Sequence, residues 1–98
     1  MIYAVLFEDN DDKADERPKH MQAHLGFLEA NAGAVTAAGP LLDTGSGQPA
    51  GGLWLVEAAS SAEVRKLVET DPFWTTGLRK SVSILEWKQV FACGKRLI

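Results

Sequence analysis

The chain has 98 residues, which is enough for one domain with a modest hydrophobic core. Hydrophobic residues make up 46% of it and charged residues 23%, which is typical of a soluble globular protein and excludes a disordered tail. The net charge of -3 gives no general attraction to phosphate backbones, so a nucleic-acid partner is not expected. No apolar run approaches the roughly 20 residues that cross a bilayer, and the N-terminus lacks a basic leader. Neither a membrane partner nor a signal peptide is therefore predicted.

The first half of the chain predicts a strand, a helix and a weak second strand. Residues 2–7 are all apolar, which favours a strand buried on both faces. A helix is predicted from Pro18, which suits a first helical turn, to Gly33, which suits a helix end. Residues 34–38 predict a weak strand that stops at residues 39–40, a Gly-Pro pair.

The second half predicts a loop, a strand, a helix and a last strand. Residues 41–52 are rich in glycine and predict a mobile loop or a hairpin arm, followed by a strand over 53–56. Ser60 and Glu63 form a capping box at the start of a helix that should end before Pro72. A last strand is predicted over residues 81–91, with a bulge or an irregular register after Ile84, and residues 91–98 form a tail.

The element order β-α-β-β-α-β predicts an α+β, ferredoxin-like fold in a single domain spanning residues 1–98. In this topology strands one and three are central in an antiparallel sheet, and both helices cover one face. The other face would then expose apolar side chains, which usually marks a partner surface. We therefore expect a homodimer that packs sheet against sheet with two-fold symmetry.

His24 and Asp71 are the main candidates for chemistry. Histidine can give and accept a proton near neutral pH, and His24 lies beside the apolar stripe of the first helix. The alternative is a half-buried helix histidine bonded to a nearby carbonyl. Asp71 follows Glu69 at a helix end, where the dipole disfavours negative charge, and such local conflicts concentrate at functional sites. The alternative for Asp71 is an Asp-Pro turn in which the carboxylate accepts backbone N–H groups.

The other polar candidates give weaker signals. Arg17 can bind a carboxylate or phenolate of a substrate, or else pair with a nearby acidic residue. His20 precedes His24 by four residues, a spacing that can hold zinc, but no third ligand follows at a recognisable distance. A calcium loop counted from Asp9 lacks the required glycine and glutamate, so no metal is expected. Backbone near Gly39 can line a pocket.

Cysteine use indicates a reducing compartment. Cys93 is the only cysteine and cannot form an internal disulfide, so a cytoplasmic location is expected. No histidine lies beside it in the sequence, and a nucleophilic role is not expected.

Taken together, several short motifs in a fixed order resemble the YciI-like (YCII-related) family. The matching residues are Arg17, Ala23-His24-Leu25, Ala38-Gly39-Pro40, Gly52, Asp71-Pro72-Phe73, Gly77 and Val90-Phe91. The resemblance implies the ferredoxin-like fold of the dimeric α/β-barrel superfamily and a catalytic pair formed by His24 and Asp71. It also implies relatives that eliminate chloride from chlorinated hydroxyquinols. Phe73 stands where tyrosine is frequent in the family.

These observations predict a small-molecule enzyme that uses general acid–base chemistry. Asp71 would fix the tautomer of His24, whose other ring nitrogen would move a proton during elimination, isomerisation or hydrolysis of a small aromatic or unsaturated acid. Arg17, Gly39 and Phe73 would contact the substrate, and no cofactor is expected. The alternative is a non-catalytic ligand-binding or accessory dimer, in which the pair is a structural hydrogen bond. A purely structural module would show a shallow groove in place of a pocket.

Overall fold

A computed structural model describes all 98 residues and contains a four-stranded antiparallel sheet. Its strands are β1 (Ile2–Asp9), β2 (Val35–Leu42), β3 (Pro49–Glu57) and β4 (Arg79–Glu86). They are arranged in the order β2-β3-β1-β4, with β1 pairing antiparallel to both β3 and β4. The predicted α+β, ferredoxin-like fold is confirmed, including the central position of the first and third strands.

Two long helices, α1 (Glu16–Ala30) and α2 (Ser61–Thr70), cover one face of the sheet, and a short helix, α3 (Pro72–Thr75), follows α2. The core lies between the sheet and these helices because alternate residues of β1 and β3 face inwards. The buried apolar side chains of this cluster include Tyr3, Val5, Phe7, Trp54, Val56, Val64 and Val68. The predicted cap of α2 is present, since Ser60 Oγ accepts the Glu63 N–H at 3.3 Å. None of the helices is both long enough and apolar enough to span a membrane.

The second and third strands form a longer hairpin than the sequence predicts. β2 continues through Pro40 to Leu42, so the predicted stop at residues 39–40 is wrong. β2 lies at the edge of the sheet, and a proline is tolerated on an edge strand because that strand has a neighbour on one side only. The connecting turn is held by Asp43, whose Oδ1 accepts the N–H groups of Gly45 and Ser46 at 2.8 and 2.9 Å. These hydrogen bonds stabilise the charged carboxylate and lower the pKa of Asp43, and the bond from the Ser46 N–H has the largest effect.

The last strand is shorter than predicted, and the tail is ordered differently. β4 ends at Glu86 because its partner β1 begins at Ile2, whose carbonyl accepts the last bond from the Trp87 N–H at 2.8 Å. Residues 91–98 contain a two-stranded hairpin, β5 (Phe91–Ala92) with β6 (Lys95–Arg96). The expected irregularity after Ile84 is absent, and the sheet is instead irregular at the start of β4.

The sheet face opposite the helices is apolar along its central strands. Leu6 pairs with Leu53 across the β1–β3 ladder, and Ala4 pairs with both Leu55 and Leu85. Leu6 is 39% and Leu85 is 53% exposed. We refer to this surface as the open face.

Candidate active site

His24 and Asp71, which the sequence placed 47 residues apart, meet in the structure. The Nδ1 atom of His24 lies 2.7 Å from Oδ1 of Asp71, and the two residues are only 6% and 1% exposed. A carboxylate has no hydrogen to give, so the ring donates from Nδ1 and the carboxylate accepts. This bond assigns the N–H to Nδ1 in the neutral ring. It leaves Nε2, which makes no hydrogen bond to the protein, with its lone pair free.

Asp71 is held in place by the junction between two helices. It ends α2 and begins α3, and its Oδ1 also accepts the Phe73 N–H at 3.3 Å. The negative charge at the end of α2 is therefore offset by the start of α3, where N–H groups point towards the carboxylate. The turn and the histidine contact, which the sequence offered as alternatives for Asp71, occur together on one oxygen atom. Oδ2 is buried without a partner.

Aromatic rings fix the orientation of the imidazole. Phe73 is fully buried and stacks on His24, with ring centroids 4.0 Å apart and an angle of 16° between the planes. Trp54 lies further away, at 6.3 Å between centroids. Phe73 was expected to contact a substrate, but it lies behind the histidine and not on a cavity wall. Phe73 therefore holds the His24 ring in its orientation by stacking against it.

A cavity of about 110 Å³ opens beside His24, between α1 and the β2–β3 hairpin. His24, Arg17 and Gly39 all line it, so the structure brings together three of the five predicted site residues on one surface. The apolar part of the wall is formed by Met21, Leu25, Leu28, Ala38, Pro40 and Trp54. A closed apolar cavity of about 150 Å³ accepts a benzene molecule, so this smaller and partly open space can enclose no more than about one ring.

Two arginines form a charged end of the site. Arg17 Nη2 donates to Asp9 Oδ2 at 2.6 Å, and Arg79 Nη1 donates to Asp9 Oδ1 at 2.9 Å. One carboxylate therefore orients two guanidinium groups in a charge-assisted network. Arg79 lines the cavity as Arg17 does, and its guanidinium lies 4.2 Å above the centroid of the Phe7 ring. Its side chain is only 3% exposed. Burial lowers the pKa of Arg79, and the bond to Asp9 opposes this shift.

The comparisons with known proteins identify the family of this chain. Residues 1–88 match the family model described as YCII-related domain. The chain belongs to the YCII-related domain family. The resemblance drawn from short motifs is thereby confirmed for most of the length of the chain.

This YCII-related protein is similar to two proteins named YciI and to one enzyme of known structure. The proteins named YciI of Escherichia coli O6:H1 and Shigella flexneri are each 26% identical over 98 residues, covering 93% of this chain and 100% of theirs. Among solved structures, it is similar to 5-chloro-2-hydroxyhydroquinone dehydrochlorinase of Burkholderia phenoliruptrix in complex with 2,5-dihydroxybenzoquinone. That match has a TM-score of 0.78 and 30% identity, and it covers 90% of this chain and 94% of the other.

Arg79 and Asp9 are the site residues of this YCII-related domain that sequence reasoning missed. The pairing of β1 with β4 shifts between Glu8, opposite Ser81, and Asp9, opposite Arg79. This bulge turns Arg79 towards the helices, whereas simple alternation from Ser81 would place it on the open face. A charged residue at a strand start ordinarily predicts solvent exposure. The sequence gives no local signal for its burial, since Arg79 is followed directly by Lys80 and both are then expected to be solvated.

His20 does not take part in this site. Its Nε2 lies 3.0 Å from Oε2 of Glu16 on the outer side of α1, and it does not line the cavity. No group of three or more histidine, cysteine, aspartate or glutamate side chains is arranged to hold a metal ion. The two histidines therefore have different partners, His20 with Glu16 and His24 with Asp71.

Proposed function

We propose that this protein is a small-molecule enzyme in which His24 and Asp71 perform general acid–base proton transfer. The observation that carries the proposal is the buried contact of 2.7 Å between Nδ1 of His24 and Oδ1 of Asp71. His24 also lines a cavity of about the size of one ring. A positioned histidine that exchanges a proton with a reacting group contributes about 10²–10⁴-fold to a rate. Nε2 of His24 is the atom that would exchange the proton.

The surroundings of the pair suit a small acid. Arg17 supplies a fixed positive charge at the cavity wall, and Gly39 brings backbone of β2 to the opposite side. The apolar wall formed by α1 and Trp54 fits the faces of an unsaturated ring. We therefore infer a substrate that is a small aromatic or unsaturated acid, with Arg17 and Gly39 as contacts and Phe73 as the support of the base.

We infer the reaction class from two observations: the side chains that lie within reach of His24 in the cavity, and the similarity of the chain to a dehydrochlorinase. No side chain at the cavity is a serine, threonine or cysteine that His24 could activate as a nucleophile. Proton removal coupled to loss of a leaving group, as in dehydrochlorination, needs only a base and an anion contact. Elimination is therefore the favoured reaction, with isomerisation or hydrolysis as related outcomes of the same proton transfer.

The first test is a direct assay of the reaction. We expect the wild-type protein, incubated without oxygen with 5-chloro-2-hydroxyhydroquinone, to release chloride faster than a protein-free sample. Chloride is measured with an ion-selective electrode, and binding of 2,5-dihydroxybenzoquinone by the change in its absorbance. Chloride release at the protein-free rate, together with tight binding of the quinone, would contradict an eliminating enzyme.

A ligand-binding or accessory protein is the second candidate, and one observation favours it. Asp71 Oδ1 links α1, through His24, to the start of α3, so the pair also holds three helices together. A structural bond of this kind needs no turnover. In such a protein the cavity would bind the same class of small acid and release it unchanged.

We further propose that two copies of this chain pack open face to open face. The support is the paired apolar side chains at the centre of the sheet, with Leu6 and Leu85 exposed in a single chain. Contiguous apolar surface of this kind usually marks a protein interface. A two-fold axis would bring each Leu6 close to the equivalent strand of the other copy.

Leu6→Lys is expected to separate the proposed dimer into monomers. Burying an uncompensated charge costs about 3 kcal/mol or more, which raises the dimer dissociation constant by more than ~100-fold. Sedimentation equilibrium measures the mass of both forms. Ala62→Lys, on the exposed side of α2, is the matched control and should leave the mass unchanged. A wild-type protein that sediments as a monomer at every concentration would rule the interface out.

A further inference from the structure

Arg79 carries hydrogen-bond donors that the protein itself does not use. Its Nη1 donates to Asp9, but its Nε is buried without any partner, and its Nη2 makes no hydrogen bond to the protein. A guanidinium has five N–H donors and no acceptor, so these groups can be satisfied only by an acceptor. A buried donor left unpaired is costly, which favours a hydrogen-bond acceptor beside this guanidinium. Nε is closed off from solvent and Nη2 is not, so Nη2 is the donor that an incoming oxygen atom can reach first.

The backbone leaves space for this guanidinium at one glycine. A Cβ atom on Gly52 would come within 3.1 Å of Nη1 and 3.7 Å of Nη2 of Arg79. Gly52 is itself buried on the helix-facing side of β3 and lines the same cavity. The lack of a side chain at this position therefore lets Arg79 lie flat against the sheet beside the cavity.

The charges around the cavity favour an anion at this end. Asp9 neutralises one of the two guanidinium groups that it contacts, which leaves an excess of one positive charge. Asp71 carries the nearest other negative charge, but it does not line the cavity and is covered by His24 and Phe73. A ligand in the cavity therefore meets Arg79 and Arg17 directly and Asp71 only through the imidazole.

We propose that Arg79 is the principal anchor for the anionic oxygen of the ligand, with Arg17 as a secondary contact. Arg79 is the more rigid of the two, because its side chain is 3% exposed whereas that of Arg17 is 27% exposed. It is also the one with a buried unpaired donor, its Nε–H. Arg79 and His24 line one cavity, so a carboxylate or phenolate held by Arg79 would place the rest of the ring within the space that His24 faces. The identity of the ligand as a small acid rests on the proposed function; the assignment of the anchor rests on the geometry of Arg79.

The test compares an anion with its neutral analogue on the wild-type protein. The chain has four arginines, Arg17, Arg65, Arg79 and Arg96, whose Nε–H groups give separate NMR signals. Benzoate should shift the Arg79 signal and the methyl signal of Met21 to saturation, with the same dissociation constant. Benzamide should bind at least about tenfold more weakly, because it lacks the charge that strengthens the bond to a guanidinium. Arg65, which pairs with Glu69 on α2, is the internal control and should not move.

Two variants extend the test without relying on a single substitution. Arg79→Lys should weaken benzoate binding by about tenfold or more, because a lysine cannot reproduce the planar set of donors, whereas Arg17→Lys should weaken it by less than about threefold. Gly52→Ala keeps every charge and displaces the guanidinium, so it should weaken benzoate binding by a larger factor than it weakens benzamide binding.

The outcomes separate this proposal from the proposed function. Equal affinity for benzoate and benzamide, or a shift of the Arg17 signal with no shift at Arg79, would overturn the anchor. If benzoate binds through Arg79 and no chloride is released from 5-chloro-2-hydroxyhydroquinone, the anchor stands and the enzymatic function fails.

Discussion

His24→Gln is expected to lower turnover by about 10²–10⁴-fold, the usual contribution of a positioned acid–base group. Glutamine has similar length and can donate a hydrogen bond to Asp71, but its amide cannot take a proton in the range where imidazole does. The loss should appear in kcat and in kcat/KM alike, because the proton is transferred in the transition state and binding depends on other residues. Steady-state kinetics of chloride release provide the measurement.

The matched control is the other histidine of the same helix. His20 lies one turn before His24 but pairs with Glu16 away from the cavity, so His20→Gln should keep its turnover within about twofold of the wild type. Both variants should be assayed at a temperature where circular dichroism shows them to be folded. His24→Gln will also lose some stability, because it disturbs a buried bond to a carboxylate. If the melting temperature falls while turnover persists, the pair is structural and the binding-protein alternative is favoured.

Gly51→Ala is expected to destabilise the fold by about 2–6 kcal/mol. Gly51 has a φ angle of +93°, a conformation that costs other residues about 1–3 kcal/mol. A Cβ atom there would also overlap the carbonyl oxygen of Phe7 on the neighbouring strand, and overpacking adds about 1–3 kcal/mol. Phe7 is buried in the core and lies opposite Gly52 in the β1–β3 ladder, so the backbone has little room to move. Urea unfolding followed by tryptophan fluorescence measures the loss.

Two other glycines separate the contributions to that loss. Gly47 has a φ angle of +72° but open space around its Cα, so Gly47→Ala should cost only the conformational part, about 1–2 kcal/mol. Gly26 is exposed in α1 with nothing near it, so Gly26→Ala should stabilise the protein by about 0.5–1 kcal/mol. An equal loss at Gly47 and Gly51 would show that the contact with Phe7 is unimportant.

Local patterns in the sequence were sufficient for the fold class. The apolar run of β1, the helical spacing in α1 and the capping residues of α2 each depend on neighbours within a few positions. Such signals survive folding because the tertiary structure reinforces them. The β2–β3 hairpin was underestimated because its glycines and Pro40 read as breaks. The sheet accommodates Pro40 because that residue lies on an edge strand. Gly51 lies close to Phe7 and Gly52 lies close to Arg79, so a side chain at either position would collide with its neighbour.

The candidate site was predicted less completely because its contacts are distant in sequence. His24 and Asp71 were singled out separately, but nothing local could show that they lie 2.7 Å apart. The salt bridge between Asp9 and Arg79 joins residues 70 positions apart and depends on a bulge that leaves no mark in the amino-acid order. The depth of Phe73 was also hidden, because an aromatic residue after Asp-Pro can face a cavity or the core.

Asp71 Oδ1 has two roles, and they make the orientation of His24 depend on the local unfolding of α3. The same oxygen caps α3 through the Phe73 N–H and orients the ring of His24. When the first turn of α3 frays, the imidazole loses its fixed tautomer and its stacking partner in a single event. We expect fluctuations of this four-residue helix to set the fraction of molecules in which Asp71 orients the His24 ring. Exchange of the Phe73 amide hydrogen with solvent reports that fraction without any substrate.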